Sequence, residues 1–343
     1  MDKQILLNTI EHLLAGDKGL LAMDESIETC NKRFAALGIP QTIEARRSFR
    51  EWIVTTPRLN ESINGAILFD ETIRQQTKDG IPFTDVLDKA GIIPGIKVDL
   101  GAKNMAGFPN EKITEGLDGL HNRLEEYVKL GARFAKWRAV ITIGDGIPTD
   151  ACINTNVHAL ACYAALCQDA GIVPVVEPEV LMDGNHTLQR CYEVTEKVLR
   201  ALFNQLYLQK IFLGGMLLKP NMIIAGKDAV SQDSIDQVAK ATVDCLLESV
   251  PAAVPGIAFL SGGQLPKQAS EHLNAINKNF KSRSPWILTF SFSRAIEYPA
   301  IDIWKGQEAN VEKAQKSLYH KAKCNAAARR GEYTSEMEND LEG

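Results

Sequence analysis

Three patterns are missing from this sequence of 343 residues, and each absence excludes a class of protein. No apolar run reaches the roughly 20 residues that cross a bilayer, so no membrane-spanning helix is expected. The seven cysteines are odd in number and form no close CxxC pair, which predicts reduced thiols in a cytosol-like compartment. The six histidines show no HxH or HxxxH spacing, so the sequence predicts no metal site.

Signatures of nucleotide and nucleic-acid binding are absent as well. No GxGxxG turn follows the first predicted strand, and neither GxxxxGKS nor GxxxxGKT occurs. With 38 basic and 43 acidic side chains the net charge is −5, which argues against nucleic acid or an anionic membrane as a partner. The first ten residues contain Asp2 and lack the apolar core of a signal peptide, so we expect a cytoplasmic protein.

The sequence does contain eight short apolar runs, most of them close to an amphipathic stretch of helical periodicity. This alternation predicts parallel strands with helices outside, and eight units favour a closed (β/α)8 TIM barrel over an open doubly wound sheet. We predict one α/β domain over residues 1–330 and a polar, mobile tail over residues 331–343. The predicted strands are 19–23, 65–69, 95–98, 134–141, 172–176, 213–218, 256–260 and 286–290, and the predicted helices include 43–54, 116–130, 156–170, 186–207, 234–249 and 310–330.

Polar or charged residues lie at the end of each predicted strand. A barrel enzyme carries its chemistry at the C-terminal ends of its strands, so we expect these side chains to meet at one mouth. They are Asp24-Glu25-Ser26, Asp70-Glu71, Lys97 with Asp99, Lys136 with Arg138, Glu177 with Glu179, Lys219, Ser261-Gly262-Gly263, and Ser291 before Arg294.

Lys219 is the residue around which the predicted site is organised. It follows an apolar run, and Pro220 prevents the strand from continuing. Burial together with the like charge of Lys136 would lower the pKa of Lys219, which makes its amine a nucleophile near neutral pH. The alternative is a lysine that ends a strand and extends into water.

Carboxylates at the neighbouring strand ends suit the proton transfers of imine chemistry. Glu177, Glu179 and Asp24 are the candidates for this work. The alternative is that they neutralise the lysines in a buried network. A metal would be the other way to cleave a carbon–carbon bond beside a ketone, but the scattered histidines do not favour it.

Two groups at the predicted mouth are suited to anions. Lys97, Lys136, Arg138 and Arg294 are cations, whereas the loop Ser261-Gly262-Gly263 offers a hydroxyl and exposed backbone N–H groups. Two separated anion sites would bind a substrate that is phosphorylated at both ends.

The residues around Lys219 resemble the Schiff-base segment of class I fructose-bisphosphate aldolases. The resemblance continues in one colinear register over most of the chain. The matching segments are residues 21–26, 95–99, 135–138, 176–179, 217–222, 259–264, 274–277 and 288–291.

This resemblance implies a (β/α)8 barrel that cleaves fructose 1,6-bisphosphate reversibly to dihydroxyacetone phosphate and glyceraldehyde 3-phosphate, without a metal or other cofactor. The activity would serve glycolysis, gluconeogenesis or the Calvin cycle, and sedoheptulose 1,7-bisphosphate is a second candidate substrate. The family also implies a homotetramer. The start of the chain resembles bacterial or algal members more than animal ones.

The resemblance also assigns roles to residues of this chain. Lys219 would form the imine, and Glu177 would act as the acid and base. Asp24 and Lys136, with Glu179 in support, would orient the lysine and the substrate. The phosphate on the ketone side would bind Ser261, Gly262, Gly263, Ser291 and Arg294, and the far half of the sugar would bind Ser26, Arg33, Lys97 and Arg138.

The chain departs from the family pattern at three places. Glu28 stands where a glycine is usual, near the predicted far-phosphate site, and Ser293 stands where a glycine is common before Arg294. Many animal members end in a tyrosine that protonates the enamine carbon, whereas Tyr333 lies in a different context. We therefore expect this protonation to use another group or to be slower.

Two further readings of the sequence remain alternatives. A transaldolase-like transferase would also form an imine, but it would not need two phosphate sites. A sugar-phosphate-binding or scaffold protein without turnover is the other, and Glu28, Ser293 and the missing terminal tyrosine motivate it.

Overall fold

The computed structural model describes residues 2–339. Its strands are β1 Gly19–Ala22, β2 Ile63–Leu68, β3 Ile93–Lys97, β4 Ala102–Asn104, β5 Lys112–Thr114, β6 Phe134–Ile141, β7 Val173–Val180, β8 Leu217–Leu218, β9 Gly256–Phe259 and β10 Ile287–Phe292. Its α-helices are α1 Lys3–Leu14, α2 Ile27–Ala36, α3 Ile43–Val54, α4 Asp70–Ile73, α5 Phe83–Lys89, α6 Leu120–Lys129, α7 Asp150–Asp169, α8 Leu188–Leu208, α9 Ile235–Ser249, α10 Pro266–Phe280, α11 Arg294–Trp304 and α12 Val311–Arg330.

Eight of the strands form a closed parallel barrel, in the order β1, β2, β3, β6, β7, β8, β9, β10 and back to β1. The last contact closes the ring, with Leu20 of β1 opposite Ser291 of β10. β4 and β5 form a separate antiparallel pair. The predicted (β/α)8 barrel is confirmed. Its strands appear in the sequence as continuous apolar runs because helices and interior side chains cover both faces of a parallel barrel.

The end of the barrel opposite the predicted mouth is filled with apolar side chains. Leu6 and Leu13 of α1 pack there with Ile67 and Phe134 in one buried cluster. Gly95 is required in this layer, since a Cβ at that position would lie 2.3 Å from the ring of Phe134. With this end closed, only the C-terminal ends of the strands remain for polar chemistry.

Side-chain caps decide where several predicted helices begin. α3 coincides with its predicted bounds, and Thr42 accepts a hydrogen bond from the N–H of Ala45 at 3.1 Å. α7 begins six residues before its predicted start at 156, because the Thr149 hydroxyl caps it by accepting from the N–H of Cys152 at 3.2 Å. Such caps satisfy backbone N–H groups that have no partner within the helix.

The predicted strand over residues 213–218 is wrong over its first half. Leu213–Gly215 is a short 3-10 turn, and β8 contains only Leu217–Leu218. The physical reason is Gln168 of α7, whose amide donates to the carbonyls of Phe212 and Gly215 and accepts from the N–H of Phe212. These backbone groups therefore bond to a side chain instead of a neighbouring strand.

The residues after α12 contact the outside of the barrel. Tyr333 is buried, and its hydroxyl donates to Glu338 at 2.8 Å. Glu338 lies in the short helical turn Ser335–Asn339 and pairs with Lys321 of α12. The predicted mobility of this tail stays a prediction, and its residues 340–343 lie outside the described residues.

No helix in residues 2–339 has both the length and the apolar character that a bilayer crossing needs. All seven cysteines are free thiols, as the odd number and scattered spacing led us to expect.

Candidate active site

Lys219 directly follows β8 at the C-terminal mouth of the barrel. Its backbone N–H donates to the carbonyl of Val176 at 2.8 Å, so the main chain stays fixed to β7 although the regular strand has ended. Its side chain is buried, and its Nζ lies 3.1 Å from Oε1 of Glu177. The amine is thus held inside the mouth beside a carboxylate, and it does not extend into water.

A chain of alternating charges continues from Glu177 across the barrel interior. Lys136 Nζ lies 3.1 Å from Oε2 of Glu177 and 2.7 Å from Oδ2 of Asp24. All of these side chains are buried. Glu177 and Lys136 belong to β7 and β6, and Lys219 and Asp24 follow β8 and β1 within two residues, so the barrel brings together residues that lie far apart in the sequence.

The two lysines of this chain have opposite pKa shifts. Burial lowers the pKa of Lys219, and the positive charge of Lys136 lowers it further, against the opposing effect of Glu177. Burial also disfavours the charge on Lys136, yet Asp24 and Glu177 hold its pKa above the usual value. Burial works against the charge on Glu177 too, but Lys136 and Lys219 lower its pKa to about 2. Lys136 is therefore held as a cation, whereas Lys219 gives up its proton more readily than an ordinary lysine.

Arg138 and Lys97 lie nearer the rim of the same mouth. The Arg138 Nε contacts Oε2 of Glu179, and 40% of its side chain is exposed. Lys97 Nζ lies 2.7 Å from Oδ1 of Asp99, whose Oδ2 accepts from the N–H of Arg138 at 3.2 Å. The sequence marked Asp99 only as a residue at a strand end. In the structure it contacts both the ammonium of Lys97 and the backbone N–H of Arg138.

The loop after β9 lies against the start of α11. Gly262 and Gly263 have φ values of +57° and +95°, which favour glycine. A Cβ on Gly263 would lie 3.4 Å from Nη2 of Arg294, so the guanidinium borders this loop. Ser261 is the second residue after β9 and is buried. Ser291 is buried in the adjacent strand, and its Oγ has no hydrogen-bond partner among the described residues. A buried hydroxyl beside exposed N–H groups and an arginine suits an anion.

Two residues that were predicted to bind the substrate, Ser26 and Arg33, form contacts with other residues of the protein. The Ser26 Oγ caps α2 and accepts from the N–H of Thr29 at 3.3 Å. Arg33 contacts Glu25, lies 3.3 Å from Oε2 of Glu297, and stacks on the ring of Tyr298 at 4.9 Å. The contacts of Arg33 are thus with α11, on the side of the barrel that carries Arg294.

Sequence reasoning missed the buried cluster to which Arg33 belongs. Arg50 of α3 lies 2.6 Å from Oε2 of Glu25, and Glu297 of α11 is fully buried. The Ser293 Oγ lies 3.2 Å from Glu25 and 3.3 Å from Glu297. The available signal was a charged residue on the apolar face of each helix, next to Phe49 in α3 and Ile296 in α11.

The two carboxylates of this cluster have opposite pKa shifts. Burial opposes ionisation of Glu25, but Arg33 and Arg50 hold its pKa well below the usual value. Burial raises the pKa of Glu297, and the charge of Glu25 raises it further. Ionisation is therefore favoured at Glu25, whereas Glu297 keeps its proton to a higher pH than an ordinary glutamate.

The departures from the family pattern can also be located. Glu28 is exposed in the first turn of α2. Ser293 has a φ of −114°, outside the region that requires glycine. Tyr333 bonds to Glu338 outside the barrel.

These features define the class of protein: a (β/α)8 barrel whose C-terminal mouth buries a lysine of lowered pKa beside a carboxylate. The family model for class I fructose-bisphosphate aldolase matches residues 5–342. The chain belongs to the class I fructose-bisphosphate aldolase family, so the predicted family and the predicted enzyme class, a carbon–carbon lyase, are confirmed.

Individual relatives agree with this assignment over nearly their full lengths. A probable class 1 fructose-bisphosphate aldolase of Xylella fastidiosa is 54% identical over 97% of this chain and 99% of its own. The cytosolic fructose-bisphosphate aldolase 4 of Arabidopsis thaliana is 46% identical over 94% of this chain and 81% of its own. The aldolase of Plasmodium falciparum, solved with TRAP and a small-molecule inhibitor, superposes with a TM-score of 0.95 at 44% identity, covering 97% and 96%. The transaldolase-like and non-catalytic alternatives are not favoured.

Proposed function

We propose that this protein cleaves fructose 1,6-bisphosphate reversibly through an imine on Lys219. One observation carries the proposal: the buried Nζ of Lys219 lies 3.1 Å from Glu177, whose other oxygen lies 3.1 Å from the ammonium of Lys136. A free amine at this position can attack the ketone carbon of the open-chain sugar.

Glu177 serves the proton transfers before and after the attack. Glu177 first takes a proton from the Lys219 ammonium 3.1 Å away, which frees the amine for attack, and it then returns this proton to the carbinolamine hydroxyl, which leaves as water. The iminium then accepts the electron pair of the breaking carbon–carbon bond, and the proton of the adjacent hydroxyl passes to a carboxylate. The aldehyde leaves, the enamine is protonated, and water releases the ketone product.

Lys136, Asp24 and Glu179 orient these groups. The Lys136 ammonium, held by Asp24 at 2.7 Å, keeps Glu177 ionised before reaction and offers a donor for developing negative charge. Glu179 contacts Arg138, which fixes the direction of that guanidinium. Lys136, Asp24 and Glu179 thus act by positioning the groups that react or bind the substrate.

The phosphates bind at opposite sides of the mouth. Ser261, Gly262, Gly263, Ser291 and Arg294 suit the phosphate on the ketone side, and the buried Ser291 hydroxyl gains a partner there. Lys97 and Arg138, on β3 and β6, suit the far phosphate, with Ser26 and Arg33 as further candidates. Holding both ends of the sugar orients its ketone toward Lys219. Sedoheptulose 1,7-bisphosphate, with phosphates at both ends, is a second candidate substrate.

We also propose a cytoplasmic homotetramer. Free thiols at all seven cysteines and the cytosolic Arabidopsis relative support the location. The tetramer rests on family resemblance, and light scattering on the purified protein measures it.

Borohydride trapping with dihydroxyacetone phosphate, followed by peptide mass analysis, tests the imine. We expect an adduct on Lys219, and none in a Lys219→Met variant, which should also lose turnover. Lys227→Met changes an exposed lysine nearby in the sequence and should leave trapping unchanged. An adduct on another lysine, or turnover that survives in Lys219→Met, would contradict the proposal.

A further inference from the structure

A second group of ligand-type side chains lies outside the barrel mouth, where α12 meets the residues that follow it. His320 and Cys324 lie one turn apart on α12, and Glu338 comes from the turn Ser335–Asn339. One donor atom of each lies within 4.8 Å of the others. The proposed aldol chemistry uses none of these residues.

We propose that His320, Cys324 and Glu338 bind a zinc ion. The distance from Cys324 Sγ to His320 Nε2 is 3.7 Å. Tetrahedral zinc, with bonds of roughly 2.0–2.3 Å, separates its ligand atoms by about 3.5 Å. The other pairs of donor atoms lie within 4.8 Å, so an ion fits between the three after shifts of about an ångström.

The chemistry of the donors selects the metal. A thiolate, an imidazole and a single carboxylate favour a borderline ion such as Zn²⁺ over Mg²⁺ or Ca²⁺, which prefer oxygen ligands. Cys324 and His320 are buried, whereas 20% of the Glu338 side chain is exposed. The exposed side leaves room for water as the fourth ligand.

Neighbouring groups hold the carboxylate in place without the ion. Lys321 Nζ lies 2.7 and 2.8 Å from the two Glu338 oxygens, and the Tyr333 hydroxyl donates to Oε1 at 2.8 Å. The metal needs one oxygen, so the other can keep Lys321. The positive charge of Lys321 weakens zinc binding, but its contacts hold the Glu338 carboxylate in place for the ion.

Binding of the ion must displace a proton. The metal–sulfur bond forms as the sulfur–hydrogen bond breaks, and the proton passes to solvent. Zinc affinity is therefore expected to rise with pH, with about one proton released per ion from the thiol.

α7 carries a matched pair that serves as an internal control. His158 and Cys162 are also one turn apart, with 3.5 Å between Sγ and Nε2. Their other polar neighbours are the amides of Gln205 and Gln209. Across the described part of the chain, no carboxylate completes this pair into a three-ligand group.

Cobalt titration of the full-length, metal-free protein is the test, since a thiolate bound to Co²⁺ gives a charge-transfer band that Zn²⁺ abolishes by displacement. We expect the band in the wild type and in Cys162→Ser, and its loss in Cys324→Ser. Glu338→Gln should keep the band but weaken Zn²⁺ binding by roughly tenfold or more. Calorimetry in buffers of different ionisation enthalpy should count about one released proton.

Aldolase turnover without metal shows that each variant is folded, because these residues lie outside the mouth. If Cys324→Ser fails to fold, His320→Gln takes its place, and loss of tight Zn²⁺ binding is expected. The absence of a band in the wild type at saturating Co²⁺, its persistence in Cys324→Ser, or its loss in Cys162→Ser would each overturn the zinc site.

Discussion

Glu25 and Glu297 contact the same hydroxyl, the Oγ of Ser293, at 3.2 and 3.3 Å. Their α-carbons belong to segments at opposite ends of the chain, which β1 and β10 bring together as neighbours. The Ser293 hydroxyl is within donating distance of both carboxylates, so the two acids share one donor. Because Ser293 immediately precedes Arg294, this arrangement fixes the start of α11 beside the proposed phosphate loop.

The two carboxylates are therefore expected to respond differently to the same substitution. Glu25→Gln leaves Arg33 and Arg50 facing no full negative charge, so we expect a loss of roughly 3–5 kcal/mol in the free energy of unfolding. Glu297→Gln puts a neutral amide of the same shape in place of a carboxyl group whose pKa is raised, so it should cost about 1 kcal/mol or less. Urea unfolding of both variants measures the difference, and equal losses would contradict the opposite pKa shifts of the two acids.

The same pair predicts a pH dependence of stability. The pKa of Glu297 is raised by folding above its ordinary value of about 4.5. Its contribution is thus fully present below that value and is lost as the pH rises toward the folded-state pKa. Unfolding free energy should fall with pH in the wild type relative to Glu297→Gln, by up to about 1.4 kcal/mol per pH unit. A difference between the two proteins that stays constant from about pH 5 to pH 8 would contradict this.

Much of the barrel could be predicted because its strands are buried on both faces. Such strands appear as short apolar runs, and a polar residue marks the point where each one leaves the core. This is why Lys219, Glu177 and Lys136 could be placed at one mouth before their distances were known. The residue at which β8 begins could not be predicted, since it depends on the side chain of Gln168 in α7.

The buried charges inside helices were missed for a related reason. Arg50 and Glu297 lie among mostly apolar inward residues of their helices, and each pairs with residues from elsewhere in the chain. The group of His320, Cys324 and Glu338 contains a single histidine, so the spacing of histidines in the sequence does not reveal it. Contacts between distant segments leave no periodic pattern in the sequence.

Lys136→Met is expected to shift the pH profile of the reaction to higher pH. The substitution removes a cation that lowers the pKa of Lys219, and it leaves Glu177 to hold the Lys219 ammonium alone. Both effects raise the pKa of Lys219, so the free amine appears only at higher pH. The kcat/KM profile of the free enzyme reports this shift. An unchanged profile or a shift to lower pH would contradict the proposed coupling of the two lysines.

Glu177→Gln tests the acid and base. The amide keeps the shape of the side chain but cannot exchange a proton, so kcat should fall by roughly 10²–10⁴-fold. Because Glu177 is not proposed to bind a phosphate, KM should change far less. Steady-state kinetics separates the two effects, and Glu11→Gln, on an exposed face of α1, is the matched control. A Glu177→Gln variant with nearly full kcat would remove Glu177 from the proton transfers.

The two proposed phosphate sites can be separated with substrates that carry one or two phosphates. Fructose 1-phosphate keeps the phosphate on the ketone side and lacks the far one. Lys97→Met should lower kcat/KM for fructose 1,6-bisphosphate by about tenfold to a hundredfold, the worth of one charged hydrogen bond, and leave fructose 1-phosphate nearly unchanged. Arg294→Met should lower kcat/KM for both substrates, since Arg294 borders the loop of Gly263. A coupled assay measures all four combinations. If Lys97→Met weakened both substrates equally, the far phosphate would not lie at β3, and the proposed orientation of the sugar across the mouth would be reversed or wrong.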